Sequence, residues 1–292
     1  MLKGSIVALI TPFKDGKIDF HAVDILIEMH IKAKTDGILL CGTTGEAPAM
    51  SVDEKEDLVT HCLSKIAGRI PVIMGTGTNN IDNTIATTLL AEKMGVDYAL
   101  VITPYYNKPT QRGLYEYFKA VVAQVNIPMI IYNVPGRTGV NMNAATTTLL
   151  ANEFSQIVGI KEATGNLIQA SQIVRDAPGD FVVFSGEDAL TMPLMSCGAK
   201  GTISVTANLV PEKIRELTHY CLQGKYLEAK RVHLELLELN DVMFIETNPI
   251  PVKEALTLMG IIDREFRMPL CFLQDENLQK LQIVLQKYKL VK

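Results

Sequence analysis

The sequence predicts an α/β fold, a (β/α)8 barrel of the TIM type with a C-terminal helical extension, and three observations lead there. Short runs rich in Val and Ile recur eight times, each closed by Gly, Pro, Thr or Asn. Segments of helical periodicity separate them, and a repeat of about 20 to 33 residues fits a β-loop-α unit. The runs lack polar alternation, which suits parallel strands covered on both faces. Eight such units in 292 residues close into a barrel. An open doubly wound sheet is the alternative. The regular eightfold repeat weighs against it, and Gly75-Thr76-Gly77-Thr78-Asn79-Asn80 lacks the full Gly-x-Gly-x-x-Gly fingerprint.

In chain order the expected strands are Ser5–Ile10, Gly37–Cys41, Pro71–Gly75, Tyr98–Thr103, Met129–Tyr132, Ile157–Lys161, Phe181–Ser185 and Gly201–Val205. Helical spacing of apolar residues marks Val23–Ala33, Lys55–Ile66, Thr84–Met94, Leu114–Val125 and Ile168–Arg175 between them. From about Pro211 onward the chain reads as purely helical, with Leu227–Leu239, Pro251–Met259 and Glu276–Tyr288 lying beyond the closing helix. No linker or low-complexity segment interrupts the chain. One unit is expected, with residues 1–224 as the barrel and 225–292 as an extension packed on it or on a partner subunit.

Bulk properties remove several function classes. Hydrophobic content of 48% with 21% charged residues is ordinary for a soluble enzyme. A net charge of −4, with Lys and Arg scattered, gives no reason to expect nucleic-acid binding. Cys41, Cys62, Cys197, Cys221 and Cys271 are odd in number and without metal or redox spacing, so reduced thiols in a cytoplasmic protein are expected. The apolar start runs into Thr11-Pro12 rather than a small-residue cleavage site, and no window approaches a membrane span.

In a barrel of this kind the chemistry gathers where the strands end. Lys161 closes the apolar run Ile157–Ile160, an unusual place for a charge. Desolvation there disfavours the ammonium form and turns the side chain into a usable amine nucleophile; a salt-bridged or snorkelling lysine is the alternative. Tyr132 closes the preceding strand, and its phenol can pass protons during carbinolamine formation and dehydration. Gly42-Thr43-Thr44-Gly45 can converge two hydroxyls and backbone N–H groups on a small carboxylate, or be an ordinary glycine-rich turn. Arg137, between two glycines, offers a planar fork to a second carboxylate or forms a surface salt bridge. Tyr105 and Tyr106 serve the site or pack the rim. None of the five histidines falls at a strand end, which argues against a His metal centre or a Ser-His-Asp triad. Glu187-Asp188 would repel a phosphate after the seventh strand.

These residues lie in long consecutive motifs: GSIVALITPF, GTTGE, GTGTN, ITPYYNKP, YNVPGRTG, GIKEATGN, SGED, ISVTAN and NPIPVK. Together they resemble the dihydrodipicolinate synthase family, within the pyruvate-dependent Schiff-base aldolases and lyases that include N-acetylneuraminate lyase. The resemblance covers nearly the whole chain and implies the same barrel with a helical extension. It implies a lyase of diaminopimelate and lysine biosynthesis, condensing pyruvate with aspartate semialdehyde without metal or organic cofactor. By it, Lys161 forms the imine with pyruvate, Thr43 and Thr44 hold the pyruvate carboxylate and connect the tyrosines, and Tyr132 shuttles protons. Tyr106 is expected to reach in from a neighbouring subunit of a homotetramer built from tight dimers. Ile203 contributes a backbone carbonyl, Gly186 belongs with the substrate-binding set, and Arg137 receives the semialdehyde carboxylate. Sialic acid lyases lack an arginine at that position.

The resemblance also implies a lysine effector cleft at a dimer interface, near Ala47, Pro48, Lys55, Asn79, Asn83 and Tyr105. Lys55 stands where sensitive members usually carry histidine, and Asn83 where a carboxylate would pair the ligand's ammonium. An added positive charge and a lost negative one both disfavour a cationic effector. Weak or absent feedback inhibition is expected, unless Lys55 points into solvent. Two other functions stay in view: a related imine-forming aldolase acting on a sugar acid, against which Arg137 argues, and a non-catalytic sugar-acid sensor, which has no use for a desolvated amine.

Overall fold

Eight parallel strands close on themselves in a computed structural model that describes residues 2–292. They are β1 (Gly4–Ala8), β2 (Gly37–Leu40), β3 (Val72–Gly75), β4 (Tyr98–Ile102), β5 (Met129–Asn133), β6 (Ile157–Glu162), β7 (Val182–Ser185) and β8 (Gly201–Ser204). Each pairs with the next in sequence, and β8 returns to β1 through Gly4–Gly201 to Val7–Ser204. Every expected strand is present, its ends displaced by no more than two residues.

Successive side chains of a strand point to opposite faces, and two separate cores result. Ile6, Leu39, Ile73, Leu100, Ile130, Tyr132, Val182, Phe184 and Ile203 fill the lumen. Their neighbours Val7, Ile38, Val72, Val101, Ile131, Ile160 and Val183 face the helices outside. Both faces are apolar, which is why the sequence shows runs rather than alternation. On β6, Ile160 points outward, so Lys161 falls in phase with the lumen. The same alternation that packs the barrel therefore turns the lysine inward.

Polar caps explain where the outer helices begin. Ser51 and Glu54 form a reciprocal capping box on α2 (Val52–Ile66). Asp19, Asn80, Thr110, Asn143 and Asn166 cap α1 (Phe20–Lys32), α3 (Ile81–Met94), α4 (Gln111–Val122), α6 (Ala144–Glu153) and α7 (Leu167–Asp176). Between α4 and α6 lies the one-turn α5 (Pro135–Thr138), which begins on a proline. After α8 (Thr191–Ser196), the closing helix α9 (Pro211–Leu222) packs on β1.

The extension comprises α10 (Tyr226–Val242), α11 (Ile250–Leu258) and α12 (Asp275–Lys287), with α12 packed on both other helices. Two features depart from expectation. Residues 260–274 are not helical: Gly260 ends the turn after α11 at φ 74°, and Pro269 interrupts the stretch beyond it. A small hairpin, Phe13–Lys14 with Lys17–Ile18, precedes α1 and turns on Asp15-Gly16, both at positive φ.

Candidate active site

Lys161 sits at the floor of a cavity of about 570 Å3 at the C-terminal mouth of the barrel. Only 6% of it is exposed. Burial pushes its amine down to about 8; the Arg137 guanidinium acts in the same direction, and the Asp188 carboxylate opposes both. Roughly one amine in ten is then neutral at pH 7, two to three hundredfold more than for an ordinary lysine. Asp188 is itself buried and accepts backbone N–H bonds from Val205 and Thr206 at 2.9 and 3.1 Å.

Tyr132 pairs with Lys161 in the β5–β6 register, and the lysine Nζ stands 4.5 Å from the centre of its ring. Burial pushes the Tyr132 phenol up to about 12, against the lowering influence of Arg137 and the Thr43 hydroxyl. The phenol is thus a proton donor at neutral pH. Beside it, Glu162 anchors the ends of β5 and β6. Its carboxylate accepts from Asn133 Nδ2, Gln169 Nε2 and the Thr164 N–H.

The Gly42–Glu46 turn is held from beneath and from the extension. Thr11 Oγ1 donates to the Gly45 carbonyl at 2.8 Å. Glu46 adopts a left-handed φ of 53°, and its carboxylate is tied to Lys253 Nζ at 2.5 Å and to the Arg267 N–H at 3.0 Å. Lys253 also lies over the rings of Phe13 and Phe266. Thr44 Oγ1 accepts from Asn248 Nδ2 at 3.0 Å. Thr43 and Thr44 both line the cavity. No local pattern in the sequence singles out Asn248 or Lys253, although both lie in the NPIPVK motif.

Arg137 is on α5 and lines the cavity, the one arginine among the described residues that does. Its Nη2 donates to the Asn248 carbonyl at 3.1 Å. Gly186 lines the cavity too. A Cβ there would stand 2.6 Å from Ala163 Cβ, so the β6 and β7 loops approach this closely only around a glycine. Ile203, expected to offer its backbone carbonyl, is not among the residues lining the cavity and its side chain lies in the lumen; Val205 does line it. Tyr106 is 89% exposed and held at φ 73°, an uncommon conformation for a bulky residue.

A family model described as the dihydrodipicolinate synthetase family matches residues 1–288. The chain belongs to this family. Its relatives in the family include a protein of Aquifex aeolicus named 4-hydroxy-tetrahydrodipicolinate synthase, 49% identical over 290 residues and 99% of each chain. The crystal structure of dihydrodipicolinate synthase from that organism superposes with a TM-score of 0.97, covering 99% of this chain and 98% of the other. The chloride-inhibited dihydrodipicolinate synthase of Acinetobacter baumannii, crystallised with pyruvate, is 41% identical with a TM-score of 0.97 over the full length of both chains. A dihydrodipicolinate synthase of Cyanidioschyzon merolae, crystallised with lysine bound, is 36% identical with a TM-score of 0.96 over 99% of each chain.

Four of the six residues near which the resemblance implies an effector cleft, Ala47, Pro48, Lys55 and Tyr105, line the cavity that holds Lys161. Asn79 and Asn83 are not among its lining residues, and Asn83 is exposed. Lys55 faces inward far enough for its charge to act on the buried Cys41 thiol. Among the described residues no cluster of three or more His, Cys, Asp or Glu could hold a metal ion. No helix among them is long and apolar enough to cross a membrane.

Proposed function

We propose that the protein is a 4-hydroxy-tetrahydrodipicolinate synthase, a lyase that condenses pyruvate with L-aspartate 4-semialdehyde in diaminopimelate and lysine biosynthesis. The observation that carries this reading is the buried Lys161 amine, drawn down to about 8 at the floor of the cavity. Neutral Nζ attacks the pyruvate ketone, and the carbinolamine loses water to leave an iminium. Tyr132, a protonated phenol beside the amine, supplies and recovers the protons of that dehydration. The iminium draws electrons from the adjacent methyl group, which loses a proton to give the enamine. The enamine carbon bonds to the semialdehyde aldehyde, whose oxygen takes a proton. The semialdehyde nitrogen then attacks the imine carbon, closing the ring and releasing Lys161. The iminium supplies the electron sink, so the proposed route calls for no metal or organic cofactor.

Thr43 and Thr44 hold the pyruvate carboxylate at the cavity floor, with Gly186 and the Ile203 carbonyl completing the substrate set. Arg137, which lines the same cavity, takes the semialdehyde carboxylate. This arginine favours the semialdehyde over a sugar acid, and the desolvated amine favours catalysis over sensing. Borohydride reduction with pyruvate, followed by peptide mass analysis, tests the reading. Label on the Lys161 peptide is expected, and its absence would remove the imine. Competition between the semialdehyde and sialic or other sugar acids then separates the imine-formers.

Residues 1–224 act as the catalytic barrel, and residues 225–292 as an extension that completes its mouth. The working form in this proposal is a cytoplasmic homotetramer built from tight dimers. Tyr106 supports it: an exposed phenol in an unfavourable backbone conformation suits a side chain that enters a neighbouring subunit's site. Lysine is expected to inhibit weakly or not at all, because Lys55 brings a cation to the cavity wall beside Ala47 and Pro48. Titrating the enzyme with L-lysine checks this; inhibition below a millimolar would contradict it.

A further inference from the structure

We propose that Asn248 is a positioning residue for this reaction: its carboxamide fixes the direction in which the Thr44 hydroxyl offers its proton. The inference rests on the imine chemistry proposed for Lys161 and adds a residue from the extension to it.

A hydroxyl carries one hydrogen and two lone pairs. Asn248 Nδ2 donates into one lone pair of Thr44 Oγ1 at 3.0 Å, with both side chains buried. The Thr44 hydrogen must then point elsewhere, and no protein acceptor among the described residues takes it. Thr44 is 3% exposed and lines the cavity, so the hydrogen is directed to whatever occupies that space. Without Asn248 the hydroxyl rotates, and some of its orientations serve as acceptor where the chemistry needs a donor.

Asn248 is itself held from two sides. Its carbonyl accepts from Arg137 Nη2, which joins it to the wall that takes the second substrate. It stands two residues before α11, and Lys253, on the first turn of that helix, grips Glu46 two residues beyond Thr44. Two tethers therefore run from one short stretch of the extension to one turn of the barrel. The Asn248 Oδ1, by contrast, is buried and has no partner. A buried acceptor left open costs stability, and such a cost is tolerated at a cavity wall where the other end of the amide is needed.

The test compares wild type, Asn248→Ala, Asn248→Asp, Thr44→Val and the Asn248→Ala/Thr44→Val double variant in the condensation reaction. Asn248→Ala is expected to lower kcat about 10- to 100-fold, at or just below the low end of the contribution of an oriented proton donor because the donor itself remains, with KM for both substrates within about threefold. Asn248→Asp keeps the shape but can only accept, so it pulls the Thr44 hydrogen out of the cavity and loses at least as much. If Asn248 acts through Thr44, the double variant is no slower than Thr44→Val alone. Losses that multiply in the double variant, or wild-type kcat in Asn248→Asp, would overturn the role. Should Asn248→Ala fail to fold, the near-isosteric Asp variant decides the question by its kcat. Borohydride trapping of pyruvate separates the two levels. A wild type that does not trap removes the imine and this role with it, whereas normal trapping with multiplying losses removes the Asn248 role alone.

Discussion

Tyr132 and Lys161 occupy matching positions on adjacent parallel strands, and the lysine Nζ stands 4.5 Å from the centre of the phenol ring. Strand pairing, rather than a mobile loop, sets this distance. Both groups are shifted by the same burial in opposite senses, the amine toward neutrality and the phenol away from ionisation. The pair therefore sets an amine with a usable neutral fraction beside a phenol that stays protonated across the neutral range.

The pH dependence of imine capture derives from the lysine. Neutral amine is the nucleophile, so the rate of borohydride-trappable imine formation should rise from pH 6 and level off above an apparent pKa near 8. Stopped reactions across pH 6 to 10 would show it. A rate still climbing steeply at pH 10, as for an amine at the ordinary lysine value of 10.5, would mean that the amine is solvated.

The same burial predicts a stability gain on removing the charge. The folded protein disfavours the protonated amine, so Lys161 costs stability in full below about pH 8, and the cost fades as pH rises toward 10.5. Lys161→Met should be inactive yet more stable, by about 3 kcal/mol at pH 7 if the whole shift is realised. Denaturant unfolding at pH 7 and pH 10 would measure the difference and its expected shrinkage.

Arg137 lines the wall but contributes no contact to Lys161 beyond its charge. Arg137→Ala should trap pyruvate normally while raising the KM for the semialdehyde tenfold or more, the worth of a charged hydrogen bond of about 1.5 to 3 kcal/mol. Equal loss of pyruvate trapping would assign the arginine elsewhere.

Glu46 and Lys253 form an ion pair with both side chains 1% exposed. Removing one partner leaves an uncompensated buried charge, so Lys253→Ala should destabilise by about 3 to 5 kcal/mol. Replacing both, as Glu46→Gln with Lys253→Met, should recover much of that loss in the same unfolding measurement.

The eight strands were legible because burial on two faces leaves a local mark, an apolar run closed by a turn residue. Lys161 and Tyr132 were legible because each ends such a run, and period-two alternation then decides the face. The hairpin at Asp15-Gly16 was not legible, because strands of two residues are too short to show a period. Residues 260–274 read as helix only by continuity with their flanks.

The effector cleft implied by family resemblance shows where residue identity stops being enough. Lys55 reaches the cavity, whereas Asn83 has its backbone N–H bound by Asn80 at the start of α3 and stays outside it. Only the placement of α2 and α3 decides which of the two lines this cavity.

Chain-local patterning by itself determined the barrel, its eight strand ends and the lysine that closes the sixth. Tertiary structure alone decided what holds the threonine turn: Thr44 meets Asn248 across 204 positions, and Glu46 meets Lys253 across 207. Periodicity records the burial of neighbours along the chain. A hydrogen bond between its two ends exists only once the barrel has closed and the extension has folded over the mouth.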